Sequence, residues 1–267
     1  MKVGIIGLGV VGSALKFGFE KLGHKVFVYD KKFKDTKIED LMETDLIFIC
    51  VPTPNYQNGH CDLSNVHIIA NELNSLSYKG LVVVKSTVPP KTTDQLSWLY
   101  KELRFSCCPE FLRERCSISD FCENLFLVCG VYNDGDFELL RKVHGHFPRK
   151  IFKVRPIEAE LIKYFHNIYN MLRIVFANEF YEVCEFLDVD YMKVKNIAIQ
   201  NFLASPNFYL DCSPSWRGAG GPCLPKDTLA FAAFVRFLGI RDLKLFEFLY
   251  EENKKFQVTV PEGMRKE

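Results

Sequence analysis

The sequence has almost no net charge, no membrane-length apolar run, no paired-cysteine motif and no internal repeat. Its 34 Lys and Arg stand against 33 Asp and Glu, for a formal net charge of +1. That leaves no broad field to attract nucleic acid or an anionic membrane. The densest basic run, Lys31, Lys32 and Lys34, reads as a solvated loop. No apolar stretch reaches the roughly 18 residues of a membrane span. No secretory leader is evident either: "VGIIGLGVVGSAL" near the start is apolar enough to imitate one, but its regularly placed glycines fit a strand and a turn. The ten cysteines form no CxxC pair, and only the adjacent His60–Cys61 hints at a zinc spacing, so no metal site is expected. Thiols without a disulfide framework point to a reduced, cytoplasmic protein. With 267 residues, 48% of them hydrophobic, the chain can bury more than one core.

Short β-rich runs alternate with helical patterns over the first 155 residues. "KVGII" (2–6), "HKVFVYD" (24–30), "DLIFICVPTP" (45–54), "GLVVVKSTVPP" (80–90), "RFSCCPE" (104–110) and "ENLFLVCG" (123–130) read as strands. The continuous apolar ones suit strands covered on both faces of a parallel sheet. "SALKFGFEKLG" has helical spacing, with Ala14, Leu15, Phe17 and Leu22 on or near one face. "VHIIANELNSL" and "TTDQLSWLYKEL" fit further helices. The expectation is a Rossmann-type, doubly wound parallel α/β sheet over 1–155. From Pro156, a residue suited to a first helical turn, residues 156–187 contain no further Pro or Gly and predict one long helix. A smaller all-α domain is expected to complete 156–257, interrupted by the irregular stretch 204–225. Residues 258–267 read as a tail or linker stub.

Gly7, Gly9 and Gly12 form G-x-G-x-x-G between the first strand and helix. The first allows the tight turn, the second lets backbone approach a pyrophosphate, and the third allows close helix–strand packing. Asp30 ends the second strand about 20 residues on, where an acid binds ribose hydroxyls and disfavours a 2′-phosphate. The pattern predicts NAD rather than NADP, although Lys31 and Lys32 directly after it pull the other way. Ligands of such sheets sit outside the carboxyl ends of the strands. "VPTP", "STVPP" and "CCPE" end three strands there, so Thr53, Thr87 and Glu110 are expected to line the site. A proline-stiffened turn is the alternative reading of each.

"GGPCLPKD" (220–227) places Cys223 among glycines, prolines and charges, not among the apolar neighbours of a packing cysteine. It should precede a helix beginning near Lys226, where a helix N-terminus and a lysine favour thiolate. A nucleophilic thiol and an NAD site together suggest a covalent adduct that is oxidised to a thioester. The other nine cysteines read as packing residues.

At these residues the sequence resembles the UDP-glucose/GDP-mannose dehydrogenase family. "GLGVVG", "CVPTP", "STVPP", "PEFLRE" (109–114), "EAELIKYFHN" (158–167) and "GGPCLPKD" match in order and cover nearly the whole chain. The resemblance implies NAD-dependent, four-electron oxidation of a nucleotide-sugar C6 alcohol, UDP-glucose first, to the uronic acid. It makes Cys223 the nucleophile, Lys163 the cation that stabilises oxyanions, and Asn167, one turn on, its assistant. It gives Asp227 the positioning of water or of the lysine, Glu110 general-base work in thioester hydrolysis, and Thr87 a participating water. It further assigns cofactor contacts to Gly7, Gly9, Val11, Gly12, Asp30, Thr53, Thr87, Glu114 and Lys226. Substrate contacts fall to Glu110, Phe111, Leu112, Arg113, Lys163, Asn167, Gly218, Gly220 and Gly221. It also implies a homodimer through helix 156–187, and neither nucleic acid nor membrane as partner. The family's third α/β domain, which completes the nucleotide-sugar pocket, has no counterpart in this sequence, and the family's arginine motif before the glycine loop has no match until Arg217. Two other readings stand beside it: a two-electron hydroxyacid dehydrogenase, which has no use for Cys223, and a non-catalytic NAD-binding module.

Overall fold

A computed structural model describes residues 1–199, 213, 217–221, 223–239 and 244–256, without the side chains of Glu114, Glu179 and Glu182. The tail at 258–267 and most of the stretch 204–216 lie outside the described residues. The chain divides into two compact units, Met1–Pro54 with Cys61–Lys163, and Asn55–His60 with Tyr164–Glu267.

The first unit is built on strands β1 (Lys2–Ile6), β2 (Lys25–Tyr29), β3 (Leu46–Ile49), β4 (Leu81–Val84), β5 (Arg104–Cys107), β6 (Leu127–Gly130) and β7 (Ile151–Val154). They form one sheet in the order β2-β1-β3-β4-β5-β6-β7. All residues of β3 and β4 are buried. Their side chains alternate between two cores, as the period of two requires. Leu46, Phe48, Leu81 and Val83 join Phe19 and Phe121 on one face. Ile47, Ile49, Val82 and Val84 join Val66, Ile69 and Leu96 on the other. Helices α1 (Val10–Lys21), α2 (Ser64–Ser75), α3 (Thr92–Leu99), α4 (Ser117–Cys122) and α5 (Asp134–His144) cover those faces.

Two expectations are corrected. Phe17 is 46% exposed; Ala14, Leu15, Gly18 and Phe19 form the buried face of α1, because Phe19, not Phe17, follows Leu15 at the four-residue spacing of a helix face. The sheet is mostly, not wholly, parallel. β1 to β5 pair parallel, but β6 runs antiparallel to β5, with Cys107 opposite Gly130, and β7 pairs parallel with β6. Antiparallel neighbours need no helical crossover, and the β5–β6 connection holds a 3-10 turn (Glu114–Cys116) and the six-residue α4.

Helix α6 (Pro156–Phe186) starts directly against β6: a Cβ at Gly130 would lie 2.7 Å from Ala159 Cβ and 2.8 Å from Pro156 Cα. The boundary between the units falls within α6, after Lys163. The described secondary structure of the second unit is helical: the rest of α6, α7 (Tyr191–Ala198), α8 (Leu224–Phe237) and α9 (Leu245–Lys254). Asp190 caps α7, accepting from the Met192 and Lys193 amides. Phe231 of α8 packs tilted against Tyr164 at 5.2 Å and meets Phe246 of α9 edge-on at 5.0 Å. Among the described residues no helix is long and apolar enough to cross a membrane.

Candidate active site

The order 2-1-3 puts the sheet's switch point between β1 and β3, whose carboxyl ends carry the glycine turn and "CVPTP". Those two turns touch. Gly7 has a φ of 94°, and a Cβ there would come within 2.7 Å of the Cys50 carbonyl oxygen. A Cβ at Gly12 would run into the Gly7 carbonyl. Gly9 differs, since nothing lies within 4 Å of the Cβ position. It is the N-cap of α1 and supplies no side-chain cap, so the first α1 amides face an open cradle that a diphosphate fits. Val11 lies half-buried against the core. Asp30 accepts from the Leu8 amide at 2.7 Å and the Lys32 amide at 2.9 Å. Burial opposes its ionisation, but these amides and the Lys31 and Lys32 charges hold the carboxyl below its ordinary value. The acid is therefore a fixed anion beside the turn, as a ribose diol requires.

Thr53 and Thr87 meet at the ends of β3 and β4: Thr53 Oγ1 donates to the Thr87 carbonyl at 2.8 Å. At the end of β5, Glu110 Oε2 accepts from the Leu112 amide at 2.6 Å, and Lys163 Nζ donates to Glu110 Oε1 at 3.2 Å. The Lys163 and Glu110 side chains are only 5% and 11% exposed. The ammonium also lies 5.4 Å from the Phe111 ring centroid, and Phe111 packs on Phe126. Glu110, Phe111, Leu112 and Lys163 thus form one cluster. Arg113 forms a two-pronged pair with Asp120, through Nε at 2.9 Å and a terminal guanidinium nitrogen at 2.6 Å. The side chain of Glu114 lies outside the described residues.

In the second unit, Asn167 Nδ2 donates to Asp227 Oδ2 at 2.5 Å, and Lys226 Nζ lies 2.8 Å from Asp227 Oδ1. The Lys226 carbonyl accepts from Asn55, a contact that sequence spacing gave no sign of. Cys223 is half-buried and forms no disulfide. Helix α8 starts at Leu224, two residues earlier than expected, with proline in its first turn, so Cys223 is its N-cap residue. Before it, Asn178 accepts from Arg217 Nε and from the Gly218 amide, and Asn253 pairs with both the amide and the carbonyl of Ala219. Gly218 and Gly221 take φ values of 71° and 73°, where a side chain is disfavoured. At Gly220 a Cβ would meet nothing within 4 Å.

Two charged residues escaped the sequence reading. Lys85, 3% exposed, donates to Cys108 Sγ at 3.6 Å and to the Pro109 carbonyl at 3.3 Å. A hydrogen bond with Cys129, with help from the Lys85 charge, brings the Cys108 thiol down to about 7 against the pull of burial. Glu160, 2% exposed, is held by three donors around the start of α3. Nothing marked Lys85 beyond its place before "STVPP", and Glu160 stood within "EAELIKYFHN" as an unremarked letter.

Fold and site define a dinucleotide-binding α/β protein with an appended helical unit. Residues 32–148 match the NAD-binding domain of the UDP-glucose/GDP-mannose dehydrogenase family and residues 157–255 its central domain; the chain belongs to that family, and NAD is the cofactor of its first domain. A UDP-glucose 6-dehydrogenase of Rickettsia bellii is 32% identical over 84% of this chain and 52% of its own length. A UDP-glucose dehydrogenase structure from Pyrobaculum islandicum superposes with a TM-score of 0.86 at 29% identity, over 95% of this chain and 68% of that one. A 3-hydroxyisobutyrate dehydrogenase of Mycobacterium tuberculosis shares the fold, with a TM-score of 0.75 at 14% identity over 95% of this chain and 92% of that one. The chain spans about half the length of the Rickettsia relative.

Proposed function

We propose that this chain carries the NAD-binding and catalytic parts of a nucleotide-sugar 6-dehydrogenase, with UDP-glucose its first candidate substrate. The observation that carries the reading is the buried Lys163–Glu110 pair. A cation and a carboxylate held together out of water have the character of an oxyanion stabiliser and a general base. In this reading the Cys223 sulfur adds to the aldehyde-level C6, giving a thiohemiacetal whose oxygen Lys163 stabilises. The second oxidation leaves a Cys223 thioester. Glu110 then takes a proton from water, the water oxygen bonds to the acyl carbon, and the C–S bond breaks to give the carboxylate and free Cys223. Asn167 and Asp227, joined by their hydrogen bond, orient the groups around that carbon. Hydride acceptance, twice per substrate, is the chemistry that bound NAD supplies.

The chain operates in the cytoplasm in this reading, where NAD and nucleotide sugars are drawn on. It acts as a homodimer. Phe165, Tyr169, Leu172, Phe176, Phe180 and Val183 are exposed, and their steps of four or three residues line up one apolar stripe on α6 that suits the same stripe of a second copy.

The test is a panel of UDP- and GDP-sugars with NAD, reading NADH and acid together. Two NADH per acid is expected. One NADH and no acid would favour the hydroxyacid-dehydrogenase reading, and NAD binding without turnover the non-catalytic one. Cys223→Ser should abolish acid formation while changing NAD affinity less than about twofold; acid at the wild-type rate would remove Cys223 from the nucleophile's role.

A further inference from the structure

Helix α3 is capped from elsewhere in the chain. Its N-cap residue, Lys91, gives no side-chain cap and sits in the left-handed region at φ 77°, which a residue with a Cβ enters only under constraint. The constraint is Glu160. Its Oε2 accepts from the Lys91 amide at 2.7 Å, and its Oε1 from the Thr93 amide at 2.8 Å and Thr93 Oγ1 at 2.6 Å. Thr92 Oγ1 closes the same turn on the Pro89 carbonyl at 2.6 Å. The segment is continuous with Thr87, whose carbonyl receives Thr53. Glu160 is also three residues before Lys163 on α6, so the two share a helix face. Lys163 in turn holds Glu110. One carboxylate therefore ties the turn after β4 to the helical turn that presents the ammonium.

We propose that Glu160 is a positioning residue: its buried carboxylate clamps the start of α6 to the start of α3, and so fixes where Lys163 meets Glu110. The clamp requires a carboxylate. Three donors converge on it, and a glutamine would turn an N–H towards one of them. Burial pushes the Glu160 carboxyl up to about 7 against those hydrogen bonds.

The role of Lys163 in the chemistry rests on the proposed function; the clamp itself does not. Three readouts on the full chain separate the two: amide hydrogen exchange over 85–95, the acylation rate of Lys163 by a small amine-reactive ester followed by mass spectrometry, and turnover. Glu160→Gln should raise exchange at Lys91 and Thr93 about a hundredfold. It should speed Lys163 acylation about tenfold and lower kcat about tenfold, with the NAD Kd within about twofold. Thr93→Val, which removes one donor and keeps the shape, should move all three in the same direction by less, and Thr93→Ser should restore wild-type values. Faster exchange with Lys163 acylation unchanged in both Glu160→Gln and Thr93→Val would make Glu160 a helix cap only and overturn the proposal. If Glu160→Gln does not fold, Thr93→Val decides. A wild-type chain that turns over no nucleotide sugar defeats the function reading and leaves exchange and acylation to judge the clamp.

Discussion

His144 is an imidazole with no room for a second proton. It is 1% exposed among the rings of Phe19, Phe48 and Phe121. Nδ1 donates to the Leu140 carbonyl at 2.9 Å, and Nε2 has no hydrogen-bond partner. Burial first, then the Lys85 charge, pushes its pKa down to about 3. The unfolded chain takes up that proton near pH 6.5 and the native one does not, so this contribution is full above pH 6.5 and is lost as pH falls towards 3. The fall amounts to a few kcal/mol. His144→Leu should flatten the decline of Tm between pH 6.5 and 4, whatever it does to Tm at neutral pH; an unchanged slope would show that His144 is not the titrating group. Lys85 and Glu160 teach the same lesson from the opposite sign. A lysine and a glutamate read from sequence as solvated side chains, since a letter carries no record of what surrounds it. Glu110, Lys163, Asn167 and Cys223 could be singled out because each stood in a segment that matches the family's pattern, and their roles belong to the proposed function. Cys108, read as a packing thiol, owes its altered acidity to contacts with residues 23 and 21 positions away.

At the scale of elements, six strands were legible, but β7, a four-residue edge strand with Phe152 and Lys153 exposed, was not, and neither was the direction of β6. An apolar run buried on both faces looks the same whichever way it runs, so "ENLFLVCG" announced β6 without announcing that it opposes β5. Helix α8 starts two residues before the expected position, with a proline in its first turn, where that residue is at home. The strained entry to α3 gives a direct measurement. Lys91→Gly keeps the amide that Glu160 holds and removes the Cβ that disfavours φ 77°. Part of that gain is offset by the freedom glycine adds to the unfolded chain, so stability should rise by up to about 1 kcal/mol. Chemical denaturation checks this. A loss of stability would mean that the lysine side chain contributes more than its backbone costs.

The whole molecule is two units with separate cores, and α6 runs through the boundary. In the proposed dimer the apolar stripe of α6 is the seam. Phe176→Asp with Phe180→Asp should convert the protein to a monomer at micromolar concentration in sedimentation, with helical content retained. A wild-type monomer under the same conditions would remove the dimer from the reading.

The segment 217–219, ahead of Cys223, is gripped from two distant places in the sequence, by Asn178 on α6 and by Asn253 on α9. Both amides are wholly buried. Its shape is therefore set by the interior of the second unit before any molecule arrives, and an incoming ligand need not spend affinity on organising it. By the same logic α9 is more than a trailing helix: a chain cut short of Asn253 would keep every residue named in the chemistry and still lose the mould in which the thiol is cast.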